Sequence, residues 1–390
     1  MKSNLSPWPS FTQEEANVVG EVILSNKVNY WTGGEGRQFE KEFANWCESN
    51  YAVAVANGTL ALDLALKALG VGIGDEVIVT PRSFIASVSC VVNAGAIPIF
   101  ADIDLNSGNI TAESIKAKVS HKTKAIVCVH LAGFPCEMDG IMQLAKAHNL
   151  YVIEDCAQAH GARYKGQSVG SIGHIGCWSF CQDKIMTTGG EGGMVTTSDE
   201  SLWRSMWAYK DHGKSYEAVY EREHPEGFKW LHESFGTNWR MTEMQAAIGR
   251  IQLGRIAGWH QQRIDNAQEI LKAFVKFPNA IRVSKVNDDI EHAWYKLNVY
   301  VRPEGLKGGW NRDRISNEIN QLGIPCYSGS CSEIYLEKAF DEQFRPKQRL
   351  NNAQELGSAT LMFLVHPTLT ANEVQSTCDV INKVMQLASK

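Results

Sequence analysis

The chain has 390 residues, more than twice the length of a typical single domain, which predicts one large domain and a smaller one. Hydrophobic residues make up 44% and charged residues 21% of the sequence, a balance that excludes intrinsic disorder, collagen and coiled coil as descriptions of the whole chain. The net charge of −5 argues against nucleic acid as a partner, because a broad phosphate-binding surface is normally basic.

The sequence carries no targeting signal and no pattern of metal ligands. Residues Met1–Pro7 lack the apolar stretch of a secretory signal, and no segment is apolar enough to span a membrane. The closest cysteine pairs, Cys177/Cys181 and Cys326/Cys331, match neither a zinc-ribbon nor a redox spacing. We therefore expect a cytoplasmic protein with reduced, mostly buried thiols, no metal and no membrane contact.

Predicted helices and strands alternate in the first half of the chain. Thr12 and Glu15 form a capping box that begins a helix ending near Ser25, and the apolar spacing of 37–48 predicts a second helix. Repeated strand–helix units with nearly continuous apolar strands predict a mostly parallel sheet covered by helices on both faces, a three-layer α/β/α domain. The strands are predicted at 51–56, 76–80, 97–102, 125–130 and 151–154, and the helices between them at 59–69, 85–94, 112–119 and 138–148.

The second half begins with short strands around a glycine-rich turn in 175–197. A long helix from Met241 to about Phe274 then leads into a smaller α+β C-terminal domain, and we place the boundary between 1–255 and 256–390. Residues Lys210–Lys229 are predicted to form a mobile loop. The small domain is predicted to contain a strand at 292–301 and helices at 313–322 and 371–388.

Ligands of such sheets bind beyond the carboxyl ends of the strands, so the residues that follow each strand are the first candidates. Asn57-Gly58-Thr59 follows the first strand and begins a helix whose free amides attract phosphate, although many strand–helix turns have this composition. Phe84 follows the second strand, where an aromatic ring either stacks on a flat heterocycle or belongs to the core.

The two remaining candidates are an acid and a lysine. Asp155 ends the fifth strand and lies on the face opposite to Glu154. A carboxylate in such a partly dry crevice requires a partner, and the alternatives are a protonated ring nitrogen, a structural ion pair and a helix that the carboxylate caps. Lys184 lies between an apolar strand and the turn 189–193, and a lysine shielded there would attack a carbonyl. A phosphate-binding turn, an aromatic ring, a strand-end acid and such a lysine together match the needs of pyridoxal 5′-phosphate.

The sequence resembles the DegT/DnrJ-type sugar aminotransferases, a branch of the aspartate-aminotransferase fold (fold type I). The resemblance covers roughly residues 10–260 and rests on five motifs in the order of the family. They are Asn57-Gly58-Thr59, the run from Glu154 to Gly161, Trp178-Ser179-Phe180 with Lys184, Gly190-Glu191-Gly192-Gly193, and the run from Gly236 to Met241.

The resemblance implies a role for each cofactor-binding residue. Lys184 would bind the aldehyde of pyridoxal 5′-phosphate covalently and move the proton, while Asp155 would keep the ring nitrogen protonated. Gln158 would contact the ring hydroxyl and Phe84 would stack on the ring. The phosphate would be bound by the amides of Gly58 and Thr59, by the hydroxyl of Ser179, and by Asn238 of the neighbouring subunit, which implies a homodimer with shared active sites.

The resemblance also implies the reaction, in which the amino group of L-glutamate passes to a keto group, at C4, of a nucleotide-linked 4-keto-6-deoxy sugar. A lysine at position 184 favours transamination, because dehydrating members carry histidine there. Amination at C3, a sugar lyase of the same cofactor and a non-catalytic binding protein are the alternatives.

The expected substrate contacts are less specific, because each residue type is more often found in packing or at the surface. Two departures from the family concern the additional Gly189 in the turn and the loop 326–335, which lacks the usual proline- and histidine-containing pattern. The candidates for contacts with the sugar, a carboxylate or the pyrophosphate are Tyr30, Trp31, Thr32, His130 and Arg240.

Overall fold

The computed structural model of the chain describes residues 5–390, so part of the segment predicted to lack a secretory signal, Met1–Asn4, lies outside the described residues. The helices are α1 (Gln13–Leu24), α2 (Glu35–Trp46), α3 (Gly58–Ala68), α4 (Ala86–Asn93), α5 (Ala112–Lys116), α6 (Met138–His148), α7 (Glu200–Tyr209), α8 (Tyr216–Tyr220), α9 (Glu243–Phe274), α10 (Arg312–Gln321), α11 (Asn351–Ala359) and α12 (Ala371–Ala388). The strands are β1 (Tyr51–Val55), β2 (Glu76–Val79), β3 (Ile97–Phe100), β4 (Thr123–Val129), β5 (Tyr151–Asp155), β6 (Arg163–Tyr164), β7 (Gln167–Ser168), β8 (Ile175–Ser179), β9 (Gly193–Thr197), β10 (Ile281–Val283), β11 (Ile290–Glu291), β12 (Leu297–Val301), β13 (Cys326–Tyr327) and β14 (Thr360–Phe363).

A seven-stranded sheet in the order β1-β9-β8-β5-β4-β2-β3 forms the centre of the large domain. Strand β9 is antiparallel to its neighbours β1 and β8, whereas β8, β5, β4, β2 and β3 pair in parallel. The parallel strands are apolar on both faces because helices cover both, and the predicted three-layer α/β/α architecture is confirmed. The sheet brings the ends of β5 and β8 together, with Asp155 paired to Cys177.

The predicted elements of the large domain are present at nearly the predicted bounds. The capping box of Thr12 and Glu15 begins α1, as the sequence indicates. The prediction of a mobile loop at 210–229 is wrong for its first part: Lys210 is fully buried, its ammonium lies 2.7 Å from Glu40, and α8 follows. A buried lysine needs a paired acid, and no sequence pattern links positions 170 residues apart.

The small domain is built on the sheet β10-β12-β14-β13, with α10, α12 and the second half of α9 around its core. The proposed boundary at 255/256 falls inside α9. Ile256 belongs to a core cluster of the large domain and Ile270 to that of the small domain, so one helix contributes to both.

All ten cysteines are free, and all are buried except Cys181, which is partly buried, and Cys331, which is exposed. This confirms the expectation of mostly buried thiols. Among residues 5–390, none of the helices combines the length and the apolar composition required to cross a bilayer.

Candidate active site

A cavity of about 1120 Å³ lies at the carboxyl ends of the central strands, with the small domain forming its opposite wall. Its position agrees with the rule that α/β sheets bind ligands beyond the ends of their strands. The structure brings together in this cavity seven of the predicted catalytic and cofactor-binding residues: Gly58, Thr59, Phe84, Asp155, Gln158, Ser179 and Lys184.

The turn between β1 and α3 forms a cradle with room for an anion and no room for further side chains. Asn57 caps α3 by accepting a hydrogen bond from the N–H of Leu60 at 3.0 Å, and the first amides of the helix, at Gly58 and Thr59, have no intrahelical acceptor. A Cβ on Gly58 would lie only 2.5 Å from Cβ of Ser179, so glycine is required. The exposed amides and the Ser179 hydroxyl could hold a phosphate group here.

Asp155 is a nearly fully buried carboxylate, 4% exposed, at the end of β5. Its Oδ2 accepts a hydrogen bond from the Ser87 hydroxyl at 2.7 Å, and its Oδ1 accepts one from the N–H of Ala157 at 3.1 Å. No cationic side chain of residues 5–390 lies within ion-pair distance of it. A buried carboxylate without a cation fits a ligand that brings a positive charge, such as a protonated pyridine nitrogen.

Glu154 lies on the opposite face of β5, as the alternation along a strand predicts, and has a structural role. Its Oε2 lies 2.9 Å from Nε2 of His130, whose Nδ1 accepts the N–H of Cys136 at 2.9 Å. His130 is fully buried, so the structure does not bring this predicted sugar contact to the cavity. The carboxylate of Glu154 also accepts hydrogen bonds from the backbone N–H groups of Gly170, Ile172 and Gly173.

Lys184 points into the cavity with its side chain 14% exposed. Its Nζ lies 3.8 Å from Oδ1 of Asp183 and 5.2 Å from the centre of the Tyr295 ring. The Tyr295 hydroxyl donates a hydrogen bond to the other oxygen of Asp183. The amine thus lies beside an acid that is also bound from the small domain.

A hydrogen bond from Trp8 and a turn that requires glycine constrain the backbone around Lys184. The indole N–H of Trp8 donates a hydrogen bond to the carbonyl of Lys184 at 2.8 Å. After the lysine, Gly189 and Gly190 both adopt positive φ angles, of 83° and 113°. The additional glycine is therefore required by the turn, because other residues rarely adopt this conformation.

Gln158 and Phe84 present an amide and an aromatic side chain to the cavity, where they could contact the ring of a ligand. Gln158 accepts the N–H of Ala132 through Oε1 at 2.7 Å, which leaves its amide N–H groups free to donate to a ring hydroxyl. Phe84 is 66% exposed on the cavity wall, an unusual degree of exposure for a core aromatic ring.

The structure does not bring the predicted residues 30–32 to the cavity of their own chain. Tyr30 is buried; its hydroxyl donates to Glu40 at 3.0 Å and accepts from the indole N–H of Trp207 at 3.2 Å. Trp31 is partly buried and packs against Trp207. Thr32 is exposed and donates a hydrogen bond to a neighbouring carbonyl.

Arg240 and Asn238 lie outside this cavity too. The guanidinium of Arg240 binds Oδ1 of Asp211, which is fully buried, at 2.7 Å. Asn238 is exposed, and its Oδ1 accepts the N–H of Arg240 at 3.4 Å. Both residues lie in the segment that follows α8, on a surface of the large domain.

Residues that the sequence did not single out complete the cavity wall. Ser87 orients Asp155 from α4, and Tyr295, Lys296 and Tyr327 reach the cavity from the small domain. Tyr295 and Lys296 lie within the strand that the sequence predicts at 292–301, and nothing in that pattern indicates a site. Only the packing of the two domains makes them neighbours of Lys184.

Burial and neighbouring cations shift two pKa values near the lysine. His160 is fully buried, and desolvation followed by the charges of Lys184 and Arg263 lowers its pKa to about 3, so the imidazole is neutral. Desolvation also lowers the pKa of Lys296 to about 8; Asp183 opposes the shift, and Arg263 and Lys184 reinforce it.

The fold and the groups that line the cavity define a pyridoxal-phosphate-dependent transferase of fold type I. The residues present fit this cofactor: the glycine cradle suits its phosphate, the uncompensated carboxylate of Asp155 suits its ring nitrogen, and the Lys184 amine suits its aldehyde. The chain belongs to the DegT/DnrJ/EryC1/StrS aminotransferase family, whose model matches residues 9–382.

Individual relatives agree with this assignment. A GDP-perosamine synthase of Escherichia coli O157:H7 is 36% identical over 380 residues, 96% of each chain. A UDP-N-acetyl-3-dehydro-alpha-D-glucosamine 3-aminotransferase of Acidithiobacillus ferrooxidans is 41% identical over 373 residues, 94% of this chain and 92% of that one. An aminotransferase structure from Psychrobacter cryohalolentis matches with a TM-score of 0.97 and 65% identity, covering 98% of this chain and 99% of the other.

The protein is therefore a pyridoxal-phosphate-dependent nucleotide-sugar aminotransferase, as the resemblance implied. The lyase and the non-catalytic alternatives gain no support from this assignment, since the family and these relatives are named as aminotransferases or as a synthase of an amino sugar.

Proposed function

We propose that the protein transfers the amino group of L-glutamate to C4 of a nucleotide-linked 4-keto-6-deoxy sugar. The observation that carries the proposal is the convergence of Lys184, Asp155 and the Gly58 cradle on one cavity. The choice of C4 is supported by the relative named GDP-perosamine synthase, which covers nearly the whole chain and whose product is a 4-amino sugar.

In this proposal the residues of the chain divide the work between binding and proton transfer. When bound, pyridoxal phosphate supplies an electron sink that stabilises the carbanion formed as a proton leaves the substrate carbon. Lys184 moves this proton, a step that contributes on the order of a hundred- to ten-thousand-fold in rate. Asp155, oriented by Ser87, keeps a positive charge on the ring nitrogen.

The other cavity residues position the cofactor. The amides of Gly58 and Thr59 and the hydroxyl of Ser179 bind the phosphate, Gln158 donates to the ring hydroxyl, and Phe84 covers one ring face. The exposure of Phe84 fits this role, because a flat ligand would bury the ring.

A homodimer with shared sites is part of the proposal. Asn238 is exposed and away from the cavity of its own chain, so it is available to a phosphate bound by a second copy. The surrounding segment also exposes three large aromatic residues, which a monomer seldom leaves in water and a second subunit would cover. They are Phe228, Trp230 and Phe235, at 74%, 76% and 98% exposure.

Free thiols throughout the chain fit the reducing cytoplasm, where we place the enzyme.

The second candidate is amination at C3. It is favoured by the relative of Acidithiobacillus ferrooxidans, which is named a 3-aminotransferase and has a higher identity to this chain, 41%, than the perosamine synthase, 36%. Both reactions use the same cofactor and the same lysine, so the cavity residues near the sugar decide between them.

The deciding experiment incubates the holoenzyme with L-glutamate and a matched panel of 4-keto and 3-keto sugars linked to UDP, GDP and dTDP. The product is identified by mass and NMR, which assign the position of the new amine. Amination at C4 is expected. Amination at C3 alone replaces the first proposal by the second. Parallel incubations replace glutamate with L-alanine or L-aspartate, and conversion with either of these but not with glutamate contradicts the proposed donor.

A further inference from the structure

Lys296 places an ammonium group on the cavity wall, and neither the proposed cofactor binding nor the proposed proton transfer uses it. It directly precedes β12 of the small domain, is partly buried, and lines the cavity that contains Lys184. Among residues 5–390 its Nζ has no hydrogen bond and no carboxylate within ion-pair distance. Its described contact is with the ring of Tyr295, whose centre lies 4.7 Å away.

The surroundings of Lys296 contain more cations than acids. Among the residues that the structure describes, Lys184 and Arg263 disfavour its charge and Asp183 favours it. That acid lies 3.8 Å from Lys184 and also accepts the Tyr295 hydroxyl. Arg263 is fully buried and donates to backbone carbonyls instead of to an acid.

An ammonium placed among other cations and withdrawn from water destabilises the fold, and burial accordingly lowers the pKa of Lys296. An ammonium that destabilises the fold and faces a cavity is a candidate for ligand binding, because an anionic ligand would supply the negative charge that its surroundings lack. The missing partner is therefore an anion that enters the cavity.

We propose that Lys296 binds a carboxylate of the amino donor, and of the 2-oxo acid that the donor becomes. The inference rests on the proposed use of glutamate. The carboxylates of a small amino acid lie close to the amino-bearing carbon, which must reach Lys184. Lys184 and Lys296 line the same cavity, and their Nζ atoms lie 5.2 and 4.7 Å from the centre of the Tyr295 ring, so Lys296 is in range of such a carboxylate. The diphosphate of a nucleotide sugar is separated from the reacting carbon by the sugar ring and is held farther out.

The test compares the wild-type holoenzyme with Lys296→Met, which replaces the side chain by an unbranched one that is one atom shorter and has no charge. Lys383→Met is the matched control, because Lys383 is exposed on α12 of the same domain. Spectral titrations give the dissociation constants for L-glutamate and for glutarate, a dicarboxylate that cannot react. Both constants are expected to rise about 10- to 100-fold in Lys296→Met, the range for a hydrogen bond to a charged group.

The same proteins are titrated with UDP, GDP and dTDP, whose affinities are expected to change less than about twofold. Lys296→Arg retains the charge and is expected to keep most of the affinity for dicarboxylates, whereas Lys296→Gln is expected to behave like Lys296→Met. This pair decides the question if the methionine variant does not fold.

Unchanged constants for glutarate and glutamate in Lys296→Met overturn the proposal. Weaker binding of the nucleotides with unchanged dicarboxylate binding also overturns it and assigns the ammonium to the diphosphate. A wild-type enzyme that does not convert glutamate contradicts the proposed donor instead, and the glutarate titration still decides whether Lys296 binds a carboxylate.

Discussion

The hydroxyl of Ser87 donates a hydrogen bond to Oδ2 of Asp155 across 2.7 Å and thereby joins α4 to the end of β5. Ser87 in turn lies 2.8 Å from the hydroxyl of Ser83, so the orientation of the acid is fixed by a short chain of side chains. The other carboxylate oxygen accepts the N–H of Ala157. Asp155 is thus held in one position before any ligand arrives.

Asp155→Asn keeps the size of the side chain and removes the charge; its amide oxygen can still accept the N–H of Ala157, while its NH2 group would face the Ser87 hydroxyl as a donor. We expect the rate of the reaction with glutamate to fall about 100- to 1000-fold, since the positive charge on the cofactor ring would lose its partner. Ser87→Ala, which keeps the charge and removes one orienting bond, is expected to cost at most about tenfold. Single-turnover absorbance changes measure both. A rate for Asp155→Asn equal to that of Ser87→Ala would contradict the role of the charge.

Lys184→Ala removes the amine that is proposed to bind the cofactor. The near-violet absorption band of lysine-bound cofactor is expected to disappear, and borohydride treatment is expected to leave no cofactor on the protein by mass spectrometry. Lys383→Ala, at an exposed site, serves as the control and should keep both signals. Retention of the band in Lys184→Ala would exclude the assignment.

Gly58→Ala places a Cβ 2.5 Å from Cβ of Ser179, in the proposed phosphate cradle. Overpacking of this kind is expected to lower the free energy of unfolding by about 1–3 kcal/mol and to weaken cofactor binding at least ~10-fold. Gly258→Ala is the control, because a Cβ there, in α9, meets no atom within 4 Å; it should stabilise the protein by ~0.5–1 kcal/mol. Thermal unfolding and equilibrium dialysis separate the two effects.

Lys296→Met should stabilise the protein without ligand near neutral pH. Desolvation lowers the pKa of Lys296 from its ordinary value of 10.5 to about 8; the charge of Asp183 opposes this shift, and those of Arg263 and Lys184 reinforce it. Between these values the unfolded chain binds a proton that the native protein lacks, so the penalty is complete below pH 8 and fades as the pH rises toward 10.5.

We therefore expect the methionine variant to gain about 1–3 kcal/mol in the free energy of unfolding at about pH 7, and most of this gain to vanish by about pH 10. Urea unfolding of the two proteins at both pH values measures the difference. The comparison with Lys383→Met corrects for removing an exposed lysine. A difference that does not vary with pH would show that the native ammonium is not destabilised.

Mixing two inactive variants tests whether active sites are shared. Lys184→Ala and Asn238→Ala homodimers each lack one component in both sites, whereas a mixed dimer restores one complete site if Asn238 acts across the interface. After the subunits are exchanged, activity is expected to recover to about a quarter of the wild-type value, because half of the dimers are mixed and each has one working site. No recovery, with mixed dimers confirmed by mass, would place both residues in the same subunit's site.

The sequence predicts the large sheet and one side of the cavity because both follow from local rules. The place of Asp155 at the end of β5 assigns it to the cavity, and the strand–helix turn that contains Gly58 does the same for that residue. The glycine-rich turn points to Lys184 in the same way. Each inference depends on a few consecutive residues, whose backbone conformation the sequence largely determines.

The opposite wall of the cavity could not be predicted in this way. Tyr295 and Lys296 approach Lys184 only because the two domains pack together, and no local pattern encodes that contact. Tyr30 and His130 are buried for the converse reason. Tyr30 pairs with Glu40 and His130 pairs with Glu154, so both side chains become part of the interior. A polar side chain at a candidate position is therefore not evidence of a site until its partners are known.

Helix α9 runs without interruption for 32 residues, about 48 Å, and supplies Ile256 to one core and Ile270 to the other. Expression of 1–255 and 256–390 as separate polypeptides would divide α9 and expose an apolar stripe to water on each of its two pieces. These two fragments are thus poor candidates for autonomous folding, although each contains a sheet of its own. Fragments intended for reassembly should be cut in an exposed connection on either side of the helix instead.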